Sequence, residues 1–147
     1  MTPMPAKHQR PKLSEAALLD PPRGYRQLAW LGLVLNGLAI PAVVLLVLND
    51  PTWRTANIAV GAGAVLPTAA VGLVACTALL RWRHWGQVLA IVALSLSLAV
   101  AVPYGIVRLV LVEQGRMQLA VLCPLLWAFN AGVLVFWCRP AIRHYLR

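Results

Sequence analysis

The side chains that could do chemistry are few in this chain and poorly placed for it. Its four carboxylates are Glu15, Asp20, Asp50 and Glu113; none lies inside a long apolar run, and they form no close pair. The histidines, His8, His84 and His144, all fall outside the long apolar runs. General acid–base catalysis needs a titratable group within reach of the proton it moves. No Ser/His/Asp order, HExxH, glycine-rich phosphate loop or paired acid occurs. Cys76, Cys123 and Cys138 show no CxxC or Cys/His spacing, so they read as free thiols and small core residues rather than metal ligands. The expectation is a protein that is not an enzyme and carries no cofactor. Proton pumping is disfavoured, because pumps carry Asp, Glu or His in the membrane core. A pigment or haem at His84 or His144 stays open.

Those groups sit in a chain of 147 residues that is 61% hydrophobic and 12% charged, with a net charge of +9. Soluble domains carry about 25% charged residues, and disordered chains are poor in apolar ones. An integral membrane protein remains. A helix needs ~20 apolar residues to cross the hydrocarbon. Four runs qualify, near residues 28–48, 56–80, 86–112 and 118–138. Strands are excluded by run length and by the lack of alternation. The expected fold is an all-α integral membrane protein, a four-helix antiparallel bundle with both termini inside.

Orientation follows from the basic residues. With the N-terminus inside, ten of the thirteen Lys and Arg fall on the inner side and three, Arg54, Arg108 and Arg116, on the outer. Tyr25, Trp30, Trp82, Trp85, Trp137 and Tyr145 mark the inner boundary and Trp53 the outer. Trp30, Arg81, Trp82, Arg83, Trp85, Trp137 and Arg139 are the expected inner-interface anchors, where amphipathic rings and basic heads meet headgroups. Residues 1–26 form a basic, Pro-rich tail with a short amphipathic turn at Leu13–Leu19. It reads as a partner-docking segment or as a solvated tail touching anionic lipid. Residues 140–147 read as a short interfacial helix, with Ile142, Tyr145 and Leu146 on one face. Anionic lipid accounts for the basic charge more simply than nucleic acid does. The first apolar run is expected to stay as an anchor, since it starts late, is long and lacks a small-x-small cleavage site.

Within the spans, each run holds one proline: Pro41, Pro67, Pro103 and Pro124. Proline removes a backbone donor and kinks a helix. Four kinks at similar depth would splay the outer ends around a cavity, with Tyr104, Trp127, Thr68 and Asn130 as further lining; the alternative is that prolines are simply commoner in membrane helices. Asn36 and Asn130 each lie ~12 Å from the inner boundary. An amide in hydrocarbon needs a partner, so the first and fourth spans are expected to touch through this pair and close a ring. Ala64, Thr68, Gly72 and Cys76 recur every four residues, as do Ala59 and Gly63, and Ala128 and Gly132. Such small-residue faces let helices approach closely, within the chain or between chains. Arg108, four residues from the end of its span, is expected to snorkel outward, with Glu113 or Asp50 as counter-charge. An echo at an offset of sixty residues pairs Gln27 with Gln87 and Gly72 with Gly132, which a duplicated hairpin would explain.

In size and layout the chain resembles small four-span bacterial inner-membrane proteins, notably in Leu80-Arg81-Trp82-Arg83-His84-Trp85-Gly86. The expected role is a non-catalytic membrane subunit, self-associating or bound to other membrane subunits, with anionic lipid at its inner face. One alternative is a lipid or small-apolar-ligand bundle with an outward cavity. Another is an immunity-type protein that shields the membrane from a toxin.

Overall fold

The computed structural model describes residues 22–112 and 115–146. The tail before Pro22 and Glu113, a candidate partner of Arg108, lie outside the described residues. Among those described, all regular structure is helical. Four helical runs are long and apolar enough to cross a membrane: Tyr25–Asn49, Arg54–Leu80, His84–Leu111 and Arg116–Trp137. They end within a few residues of the boundaries read from the sequence.

The first span comprises α1 (Tyr25–Gly37) and α2 (Ala39–Asn49), interrupted at Leu38. Pro41 offers no N–H to the carbonyl of Gly37, so a rung is missing where the break falls. The second span comprises α3 (Arg54–Val60), a π-helical turn (Gly61–Val65) and α4 (Leu66–Leu80). Pro67 sits in the first turn of α4 and leaves the carbonyl of Gly63 without its α-helical donor. The helix widens through Gly61-Ala62-Gly63-Ala64, where small side chains resist least. The third and fourth spans, α5 (His84–Leu111) and α6 (Arg116–Trp137), continue unbroken through Pro103 and Pro124. The helix is thus interrupted beside two of the four prolines, Pro41 and Pro67. A short α7 (Pro140–Tyr145) follows.

Successive spans run in opposite directions. At one end the Tyr25 hydroxyl donates to the carbonyl of Leu79 at 2.7 Å, and Gln87 Nε2 donates to the carbonyl of Trp137 at 2.6 Å. At the other end Arg108 pairs with Asp50. The main helix contacts are α1 with α4, α4 with α5, and α5 with α6; none of the extensive contacts joins the first span to the fourth. The expected closed ring is thus open along one seam. The seam is bridged at the Tyr25 end, where the Tyr25 ring meets Trp137 edge-on at 5.3 Å. Around that bridge Ala29, Ala75, Leu79, Ala90, Ile142 and Leu146 pack into the buried core. Residues of α7 and its flank thereby cap this end rather than lie apart from the bundle.

The tightest approach joins α4 and α5. A Cβ on Gly86 would lie 2.8 Å from Ala78 Cβ, 2.9 Å from the Leu79 nitrogen and 3.1 Å from the Ala75 oxygen. Two of these neighbours are backbone and cannot rotate away. Gly86→Ala is expected to destabilise the bundle by about 2 kcal/mol through overpacking. Unfolding by a harsh detergent titrated into mild micelles measures it; unchanged stability would mean that the hairpin yields freely.

Candidate functional site

Side chains from all four spans surround a cavity of about 580 Å³. It arises from what the sequence withholds. On α4 and the turn before it, Ala64, Thr68, Gly72 and Cys76 face the lumen; on α5, Ala90, Ala93, Ser97 and Ala101 do. Each series recurs every three or four residues and so lies on one helical face. Side chains this small cannot fill the space between four helices, and the seam supplies no neighbouring helix to fill it.

The small-residue face of the second span does two jobs. Gly72 receives the side chain of Asn36, and Cys76 lies against Gly32, where an added Cβ would sit 2.7 Å from its sulfur. The rest of the face borders the cavity. On the fourth span, Ala128 and Gly132 are exposed, and nothing lies within 4 Å of where a Gly132 Cβ would be. Ala59 and Gly63 are exposed likewise. These two faces pack against nothing within the described chain.

The expected contact between Asn36 and Asn130 is corrected. Asn36 Nδ2 donates to the carbonyl of Gly32, one turn back, at 2.7 Å. Asn130 Nδ2 donates to Ser97 Oγ on the third span at 2.9 Å. Each amide N–H finds an acceptor nearer to hand, because the open seam separates the first span from the fourth. Both amides line the cavity, and Asn130 Oδ1 is buried with no partner among the described residues.

The sequence makes only half of the cavity's polar end legible. Arg108 forms an ion pair with Asp50, their side chains 14% and 22% exposed. The alternative partner, Glu113, is undescribed. The Arg108 guanidinium lies 5.4 Å from the Trp53 ring centroid and 5.9 Å from that of Tyr104. The Tyr104 hydroxyl donates to Asn57 Oδ1, and Asn57 Nδ2 reaches the carbonyl of Leu46 at 3.4 Å. Asp50 also accepts from the Trp53 backbone N–H at 3.3 Å. Asn57 is 1% exposed and Gln87 5% exposed; the sequence reading passes over Asn57 and takes Gln87 only as part of the sixty-residue echo, not as a buried donor. The signal was available: both are amides just inside the start of an apolar run.

Of the other expected lining, Tyr104, Thr68 and Trp127 border the cavity, and the four prolines do not. Trp127 donates from Nε1 to the carbonyl of Ala101 at 3.2 Å and covers Gly105, whose added Cβ would lie 2.6 Å from its ring. The cavity also runs the length of the spans, from Leu79 and Trp137 to Leu46 and Arg108, rather than occupying only one half.

Among the expected anchors, Trp30, Trp82 and Trp85 are exposed, as are Arg81, Arg83 and Arg139. Trp137 is corrected: it is 3% exposed and belongs to the core. Its ring packs on Tyr25 and Phe136, and its carbonyl holds Gln87. Thr77, Ala78, Arg81, Arg83 and Trp85 border a second, smaller hollow.

Comparison of the chain with protein-family models, with curated proteins and with solved structures finds no match in any of the three.

Proposed function

We propose that this chain is a non-catalytic, four-span membrane protein that holds a lipid chain or a similar small apolar molecule between its spans. Its termini face the cytoplasm of a bacterial cell, in the inner membrane, as the ten-to-three distribution of basic residues favours. Arg81, Arg83 and Trp85 meet anionic headgroups there. The observation that carries the binding role is the cavity. Its volume lies within the ~300–1,000 Å³ typical of small-molecule sites. Its wall is apolar with a few fixed polar groups, which is how such sites combine affinity with orientation. The seam between the first and fourth spans offers a lateral entrance from the bilayer.

Mass spectrometry of solvent extracts tests this on protein purified in mild detergent. The wild-type chain is expected to carry a co-purifying apolar molecule. Ala64→Phe, which places a ring in the lumen, is expected to lose it. Val74→Phe, on the same span at a lipid-facing position 49% exposed, is expected to retain it. Equal recovery from Ala64→Phe and wild type would defeat the reading.

The second reading is a self-associating or accessory subunit. The exposed small-residue pairs Ala59/Gly63 and Ala128/Gly132 favour it, because such faces let helices of separate chains approach. The particle mass in the same preparation decides it: a lone chain speaks against association and leaves the cavity role standing.

A further inference from the structure

The Asp50 halves of the first two spans form a unit of their own. The helices α2 and α3 are joined by the turn at residues 50–53 and tied to each other along their length. Asn57 Nδ2 reaches the carbonyl of Leu46 at 3.4 Å, and the Asp50 carboxylate accepts from the Trp53 backbone N–H. At the far end a Cβ on Gly61 would lie 2.5 Å from Val43 Cγ1.

The hold of this hairpin on the other two spans is slight. Neither α2 nor α3 makes an extensive contact with α5 or α6. What crosses from α5 is a pair of polar side chains, Arg108 to Asp50 and Tyr104 to Asn57. A segment with so little packing around it opens at low cost once such contacts part.

A break sets the hairpin off on each side. Leu38 has a ψ of −6°, against about −42° in a regular helix. The π-helical turn Gly61–Val65 interrupts the second span. Leu38 lies eleven residues before Asn49, and the π-helical turn covers the seventh to eleventh residues after Arg54. At ~1.5 Å per residue the two breaks fall at about the same depth. Each has lost a backbone rung to proline, Pro41 or Pro67. Each also carries a glycine, Gly37 or Gly63, with nothing within 4 Å of an added Cβ, so both have room to bend.

We infer that residues 39–60 are a hinged wall of the cavity. The wall bends at Leu38 and at Gly61–Val65, and the Arg108–Asp50 and Tyr104–Asn57 contacts latch it to α5. Val43, Leu46, Asn57 and Val60 all border the cavity, so a swing away from α5 opens it at the Asp50 end. That the opening admits or releases a ligand rests on the binding role proposed above; the motion itself does not.

Distances between paired spin labels test the motion on the full chain in mild detergent, with the three native cysteines replaced by Ala. One pair, Thr52→Cys with Met117→Cys, reads the Asp50 end; the other, Arg81→Cys with Arg139→Cys, reads the Tyr25 end. All four positions are exposed. Asp50→Ala/Arg108→Met/Tyr104→Phe removes the latch without stranding a cation. It is expected to raise the population of a longer Thr52–Met117 distance about tenfold, the scale of one hydrogen bond to a charged group. The Arg81–Arg139 distance is expected to stay as in wild type. Gly37→Ala/Gly63→Ala, added to the latch-free chain, fits the free space and stiffens both breaks. It is expected to return the longer population toward the wild-type value.

An unchanged Thr52–Met117 distance in the latch-free chain overturns the inference. So does broadening of both pairs together, which means that the whole bundle loosens. No effect of the two alanines places the bend elsewhere and overturns the hinges. Release of the co-purified apolar molecule into excess detergent is expected to quicken about tenfold with the swing. An unchanged release rate beside a clear swing removes the ligand's route and keeps the hinge. If nothing co-purifies with wild type, the binding role falls, and the distances still decide the hinge.

Discussion

Replacing Asp50 by Ala is expected to destabilise the bundle by about 3 kcal/mol, because it strands a cation. Arg108 is drawn in beneath Trp53 and Tyr104 with only 14% of its side chain exposed. Its Nε already lacks a partner among the described residues, so removing Asp50 takes away both its counter-charge and an acceptor. The Trp53 backbone N–H loses its acceptor at the same time. The double variant Asp50→Ala/Arg108→Met is expected to regain most of the loss, since an apolar replacement of a buried pair is often neutral. Harsh-detergent titration of the two single variants and the double measures the coupling. Additive single effects would mean that the pair is an exposed contact of small value. A loss in Arg108→Met alone with none in Asp50→Ala would assign the packing to the guanidinium stem and its rings.

Tyr25→Ala is expected to cost about 3–5 kcal/mol, the range for deleting a large buried ring. Tyr25 is fully buried and holds three elements at once. Its hydroxyl binds the carbonyl of Leu79, its ring stacks on Trp82 at 4.8 Å, and its edge contact with Trp137 bridges the seam. Trp82 adopts a φ of +59°, a left-handed backbone that costs a bulky residue roughly 1–2 kcal/mol. The stack on Tyr25 and the Trp82 N–H to Leu79 bond of 2.9 Å offset that strain. Tyr25→Phe keeps the ring and is expected to cost only about 1 kcal/mol, because the Leu79 carbonyl still accepts from Trp82. Loss of the bridge should also expose Cys76, now 8% exposed, to a membrane-permeant alkylating reagent. Stability and Cys76 labelling that match wild type in Tyr25→Ala would show that α7 and Trp137 close this end without it.

Both residues show how far the sequence could be read. The sequence offers Glu113 and Asp50 alike as counter-charges for Arg108, because charge pairing near a span end follows from electrostatics and position along one axis; the structure pairs Arg108 with Asp50. Tyr25 was read as a boundary anchor, and its depth was not visible. A tyrosine at a span end suits a headgroup layer and a helix crossing equally well; only the neighbours decide. Asn36 and Asn130 taught the same lesson in reverse. Their equal depth was legible, but whether two spans at equal depth touch is set by the order of helices around the bundle.

By itself the sequence determined that the chain has four segments long and apolar enough to cross a membrane, and about where, because a bilayer acts on each segment separately through length and apolarity. It also determined that a backbone donor goes missing once in each segment, at Pro41, Pro67, Pro103 and Pro124 alike; the structure alone breaks the α-helix beside only the first two. Tertiary structure alone decided the open seam between first and fourth spans, the partners of the amides and the lumen beside Ala64, Ser97 and Tyr104. Those depend on how helices are rotated and ordered about one another. Lipid is as apolar as the side chains it touches, so hydropathy carries no record of which face of a span turns inward.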